Sequence, residues 1–130
     1  MGKKSPPVVV LDTGALIAFE RADAKMRALV REALRSGGRL VVPAGVVGQA
    51  WRDRARQVAL GALLHGPMTV VPSLDQPLAE AAGILCGRAD TSDMIDASVV
   101  LIARRERASI VTSDTDDLRR LDPTATIHRV

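Results

Sequence analysis

Six aspartates stand in three short stretches of this sequence: Asp12 in VVVLDT, Asp93 and Asp96 in DMIDA, and Asp114, Asp116 and Asp117 in TSDTDD. VVVLD is an apolar, β-branched run ended by an acid, and IVTSD repeats that pattern late in the chain. In open α/β sheets, ligands bind in the crevice past the carboxyl ends of the strands, so an acid at that place on two strands marks a candidate site. Asp96 falls in the first turn of an apolar helix pattern that leads into the later strand. All three stretches can therefore converge. Two carboxylates about 4 Å apart repel by roughly 4 kcal/mol at an effective dielectric of about 20, so a cluster needs protons, a cation or a partner's arginine among its members. Hard oxygen donors with no His or Cys nearby select Mg²⁺ or Mn²⁺ over zinc.

Positioning these acids requires alternating strands and helices, and the hydrophobic pattern supplies them. It predicts a central parallel strand over 8–11, a short helix from Thr13 through Phe19, and a helix over 24–35 stopped by Gly37-Gly38. A second strand over 40–42 ends at Pro43. A helix over 44–56 follows, with Val46, Val47, Ala50 and Trp51 on its apolar side and Gln49 and Asp53 together on another face. Further helix to about Leu64, a break at Gly66-Pro67, a third strand over 68–71 and a helix over 78–86 come next. Ser92 is placed as the N-cap of a helix over 93–107, followed by a strand over 109–112, a short helix over 117–121 capped by Ser113-Asp114, and an edge strand over 126–130. The alternation predicts a three-layer α/β/α fold with a mostly parallel sheet of four or five strands.

A chain of 130 residues with 47% hydrophobic residues fits one domain over 1–130, with 1–7 read as a flexible leader. No apolar run approaches the roughly 20 residues that span a bilayer, so no membrane partner and a cytoplasmic location are expected. Cys86 is the only cysteine and lies in AAGILCG, which excludes disulfides and Cys-based zinc sites and suits a small buried hydrophobe. The net charge is +3, and only three of the 18 basic residues are Lys, the rest being Arg. A basic surface around a local acidic cluster suits a metal-dependent enzyme acting on nucleic acid. Arg52, Arg54, Arg56, Arg88, Arg104 and Arg105 are candidates for phosphate contact or for a solvated face. Trp51 and Phe19 are the only aromatics, so stacking on bases is not widespread; Trp51 is expected in a core or dimer contact, and His65 and His128 at the surface.

Taken together, VVVLDTGALIA, DMIDASVVLIA and IVTSDTDDL, in that order over nearly the whole chain, resemble the PIN domain family. Within it, they are similar to the ribonuclease toxins of VapC-type toxin-antitoxin pairs. The resemblance implies a PIN-like fold in which Asp12, Asp96 and Asp114 are catalytic, metal-binding carboxylates. Asp116 or Asp117 is implied as an auxiliary acid. Asp93, by its own place at a helix start, reads as either a helix cap or a further ligand. It also implies a Mg²⁺- or Mn²⁺-dependent endoribonuclease that cleaves phosphodiesters with metal-activated water, so that the RNA 2′-OH is not needed. A homodimer and a small cognate antitoxin are implied as partners, with RNA as substrate.

One position departs from the pattern. The family usually carries a Glu in the helix after the second strand, and VVGQAW has Gln49 there. An amide oxygen can still act as a metal ligand, but the site loses one negative charge, so weaker metal affinity or a single ion is expected. The rival expectation is a catalytically weak or inactive PIN-like module that binds RNA or a protein without cutting. Thr13, Thr112 and Ser113 are candidates for orienting the carboxylates. A phosphoacceptor receiver or a haloacid-dehalogenase-like phosphatase would carry a late Lys, and this chain has none after Lys25. No G-x-G-x-x-G follows the first strand to support a dinucleotide site.

Overall fold

The first strand, β1 (Val8–Leu11), is β-branched and apolar on both faces, and Val10 and Leu11 are fully buried. Such a run fits only the middle of a parallel sheet covered on both sides. In the computed structural model, which describes residues 6–130, β1 lies at the centre of a five-stranded sheet. The other strands are β2 (Arg39–Val41), β3 (Thr69–Val70), β4 (Ser109–Thr112) and β5 (Ile127–Arg129). Their order is β3-β2-β1-β4-β5, and every pair is parallel. Most of the expected leader at 1–7 lies outside the described residues.

Among the described residues there are seven helices: α1 (Thr13–Glu20), α2 (Ala24–Arg35), α3 (Ala44–Ala50), α4 (Val58–Leu64), α5 (Gln76–Ala89), α6 (Met94–Glu106) and α7 (Thr115–Leu121). α1 packs with α2, α3 and α4, while α5, α6 and α7 pack on one another, which gives the three layers. α6 buries Ala97, Val99, Val100, Ile102 and Ala103, a broader face than one stripe, because the sheet and its neighbouring helices cover it from several sides. None of the helices is long and apolar enough to cross a membrane.

The chain runs outward from β1 through β2 to β3, then returns to lay β4 on the other side of β1. The strand order therefore reverses between β1 and β4, and the crevice past their carboxyl ends is where such sheets bind ligands. Asp12 follows β1 and Asp114 lies just beyond β4, so the fold delivers both acids to that crevice.

The ends of several elements differ from the sequence expectation, β3 being Thr69–Val70 and α7 starting at Thr115, and three differences have clear consequences. The helix expected over 44–56 stops at Ala50, and Trp51 turns to an extended conformation. The cause is Gln57. Its side-chain Oε1 accepts from the backbone N–H groups of Arg52 (2.7 Å) and Asp53 (2.9 Å), and its Nε2 donates to the Ala50 carbonyl (2.8 Å) and to Glu20 (2.9 Å). Those bonds satisfy the groups that a longer helix would have paired internally. Asp53 therefore shares no helix face with Gln49. Next, the helix expected over 78–86 extends in both directions as α5, with Asp75 as its cap. Finally, Asp93 rather than Ser92 caps α6, because its carboxylate accepts from the Asp96 N–H at 2.9 Å. Cys86 is buried in the core as expected, Trp51 packs against that core, and His65 and His128 are exposed.

Candidate functional site

Each acid-bearing stretch uses a carboxylate to start a helix. Asp12 caps α1 through Oδ1, which accepts from Ala15 N–H at 2.9 Å; Asp93 caps α6; Asp114 caps α7, accepting from Asp116 N–H at 3.2 Å. The positive ends of three helices thus point toward the side chains that would otherwise repel one another. Thr13, the first residue of α1, leaves the capping role to Asp12.

Asp12 is the most enclosed of the six acids, at 7% exposure, whereas Asp96 is half-buried and Asp93, Asp114, Asp116 and Asp117 are exposed. Thr112, itself fully buried at the end of β4, donates its hydroxyl hydrogen to Asp12 Oδ2. The same hydroxyl oxygen accepts from Asp114 N–H at 3.0 Å, so one threonine ties the two strand-end loops together. Of the three hydroxyls expected to orient carboxylates, Thr112 does so and Thr13 instead donates to Gln49 Oε1. Ser113 sits against Gly14, where a Cβ would lie 2.1 Å from its Oγ.

Burial raises the Asp12 carboxyl above its ordinary value; the Thr112 and Ala15 hydrogen bonds work against that, and the charge of Asp114 adds to it. Asp96 is pushed up to about 7, first by burial and then by the charges of Asp93, Asp12 and Asp117. Of the two acids expected to assist, Asp117 bears on Asp96 through its charge. These dependences show that Asp12, Asp96, Asp114, Asp93 and Asp117 share one electrostatic neighbourhood. Among the described residues, no Lys, Arg or His lies within ion-pair distance of any of the six acids, although other acids in the chain do have such partners, as Asp122 has Arg104 at 2.9 Å. Nor do any three described His, Cys, Asp or Glu side chains stand close enough to hold one metal ion.

The arginines expected to contact phosphate fall into two groups. Arg52 donates to the Gly48 and Trp51 carbonyls and so closes the end of α3, while Arg56 pairs with Asp53 and Arg104 with Asp122. Arg54 and Arg88 are exposed and form no ion pair among the described residues. Gln57, which shapes the turn beside Gln49, carries no signal in the sequence, because its partners span Glu20 to Asp53 and no local motif encodes them.

A five-stranded parallel sheet with acids at its switch point defines a class, and the family model of the PIN domain matches residues 9–123. The chain belongs to the PIN domain family. Solved structures agree on the fold. VapC20 of Mycobacterium tuberculosis, described as a sarcin-ricin loop cleaving toxin, aligns with a TM-score of 0.70 at 17% identity, covering 94% of this chain and 99% of that one. VapBC2 of Rickettsia felis, bound to a DNA fragment from its promoter, gives 0.69 at 15% identity over 95% and 98%. FitAcB of Neisseria gonorrhoeae gives 0.67 at 15% identity over 93% and 96%. No curated protein matches the chain significantly.

Proposed function

We propose that this PIN domain, taken as one domain over 1–130, is a Mg²⁺- or Mn²⁺-dependent endoribonuclease and the toxin of a toxin-antitoxin pair acting in the cytoplasm. One observation carries the reading: five carboxylates, those of Asp12, Asp93, Asp96, Asp114 and Asp117, stand at the switch point of the sheet within reach of one another's charge and without a cationic partner among the described residues, and the charge of its neighbours helps push Asp96 up to about 7. The donor set fits a hard divalent cation, being carboxylate oxygen; the nearby Cys86 is buried, with its thiol 3.5 Å from the Asp93 carbonyl oxygen. Asp12, Asp96 and Asp114 would hold it, with Asp93, Asp117 and Asp116 around them. When bound, such an ion activates water and stabilises charge on the phosphoryl oxygens.

The chain's own residues prepare the site. Thr112 fixes the orientation of Asp12, and the caps at Asp93 and Asp114 fix where α6 and α7 begin. Asp96 must give up its proton to act as a ligand, so binding of the ion and release of that proton are linked. The similarity to VapBC2 and FitAcB supports an antitoxin as partner; a homodimer is proposed as the assembled form. A cationic side chain of the antitoxin entering the acidic cleft would replace the metal's charge.

Labelled RNA incubated with the purified protein tests the reading: cutting with Mg²⁺ or Mn²⁺ that stops with EDTA is expected. The neutral Gln49 beside Thr13 favours a second reading, a module that holds RNA without cutting. RNA binding that persists in EDTA without cleavage at any metal concentration would support that module and overturn the enzyme.

A further inference from the structure

Gln49 stands in the last turn of α3 with its side chain exposed, and Thr13, the residue after Asp12, donates its hydroxyl hydrogen to Gln49 Oε1. One turn earlier on the same face, Gly45 lies so close to α6 that a Cβ there would be 2.2 Å from Cδ1 of Ile95, the neighbour of Asp96. Gln49 is thus held at the rim of the acid cluster, between the Asp12 loop and the start of α6. With Oε1 engaged by Thr13, the amide still has the two N–H bonds of Nε2 to offer, and these have no hydrogen-bond partner among the described residues.

An RNA phosphate approaching a wall of carboxylates is repelled, and even a bound cation offsets only part of that charge. A neutral amide donor at the rim adds attraction without adding positive charge that would compete for the metal's ligands. Hydrogen bonds to an ionised phosphate are stronger than those between neutral groups. An amide already anchored through its carbonyl also loses less freedom when it binds. The geometry points to Gln49 as a substrate-contacting residue whose Nε2 donates to a non-bridging phosphate oxygen of the RNA, with Thr13 as the positioning residue that orients the amide. This assignment rests on the nuclease reading and gives Gln49 to the substrate, where the sequence had suggested a metal ligand.

Two affinities separate the roles. RNA binding is read by fluorescence anisotropy of a labelled single strand with Ca²⁺ replacing Mg²⁺ to slow cleavage, and Mg²⁺ binding by calorimetry without RNA. Gln49→Ala is expected to weaken RNA binding about tenfold, the effect of one hydrogen bond to a charged group, and to leave Mg²⁺ affinity within about twofold. Gln49→Glu is expected to bind RNA more weakly still, because its charge repels phosphate, and Thr13→Val to fall between the native chain and Gln49→Ala. Alanine favours helix at this exposed position, so the variant keeps its fold, and a thermal melt verifies it. Loss of Mg²⁺ affinity in Gln49→Ala with RNA affinity intact would make the amide a metal ligand and overturn the assignment. So would tighter RNA binding by Gln49→Glu. Cleavage of RNA by the native chain together with native RNA affinity in Gln49→Ala overturns the assignment alone. A native chain that neither binds nor cuts RNA with Mg²⁺ or Mn²⁺ overturns the nuclease reading, and the assignment with it.

Discussion

Thr112 donates its hydroxyl hydrogen to Asp12 across 100 positions of sequence, joining the carboxyl ends of the two strands between which the sheet reverses its order. Both side chains are buried, so water cannot replace either partner. Thr112→Val keeps the shape and removes the donor, leaving a buried carboxylate oxygen and the Asp114 N–H without their partner. The expected cost is about 1–3 kcal/mol in urea unfolding, together with a higher Asp12 pKa and weaker Mg²⁺ binding. A valine variant with native stability and native Mg²⁺ affinity would show that the bond orients nothing.

Asp96 sets a pH dependence with a definite sign. Its carboxyl is pushed up to about 7 from an ordinary 3.8, first by burial and then by Asp93, Asp12 and Asp117. Between those values the folded state binds the proton more tightly than the unfolded state. Stability of the metal-free protein therefore falls as pH rises from about 4 to about 7, and the full penalty stands above that. The contribution is read as the difference in urea midpoint between the native chain and Asp96→Asn at several pH values. Asp96→Asn is expected to gain on the native chain as pH rises and, under the proposed nuclease function, to lose any stabilisation by Mg²⁺ and to cut no RNA. A difference that does not change with pH contradicts this account.

Gln57 is the side chain that ends α3. Gln57→Ala removes the acceptor for the Arg52 and Asp53 N–H groups and the donor to Ala50 and Glu20. The segment is largely exposed and water replaces part of what is lost, so a cost of about 1–2 kcal/mol is expected. Hydrogen exchange gives the sharper readout: the amides of Arg52 and Asp53 should lose protection, while those of β1 and β4 keep theirs. Unchanged protection at Arg52 would remove Gln57 from its role.

Gly14 is tested by adding one carbon. A Cβ there would stand 2.1 Å from Ser113 Oγ and 3.2 Å from the Ser113 backbone nitrogen, so rotating the serine relieves only part of the contact. Gly14→Ala is expected to cost about 1–3 kcal/mol by overpacking and to reduce RNA cleavage by pushing the Asp114 loop away from Asp12. The double variant with Ser113→Gly should recover part of the stability. No recovery would mean that the strain lies elsewhere.

Much of the architecture is written locally. The bounds of α2 and β4 follow from short-range signals: Asp23 caps α2 and Gly37 follows it at φ +75°, while Ser109–Thr112 is a short apolar run bounded by polar turns. The far end of α3 was not legible, because VVGQAWRDRAR continues a helical pattern that only Gln57 interrupts, through bonds reaching from Glu20 to Asp53. The cap at Asp93 was hidden for a related reason: Ser92 and Asp93 are both good caps, and the backbone path into α6 chooses between them.

For the site, the sequence by itself determined which acids stand at strand ends and at the first turn of α6, because strand and helix periods are local properties of the chain. Only the tertiary structure decided that Thr112 rather than Ser113 holds Asp12, that the charge of Asp117 bears on Asp96, and that Gln49 meets Thr13. Those pairings depend on the order β3-β2-β1-β4-β5 and on the angle at which each helix leaves its strand. Such quantities are set by packing the whole core at once, and no window of neighbouring residues contains them.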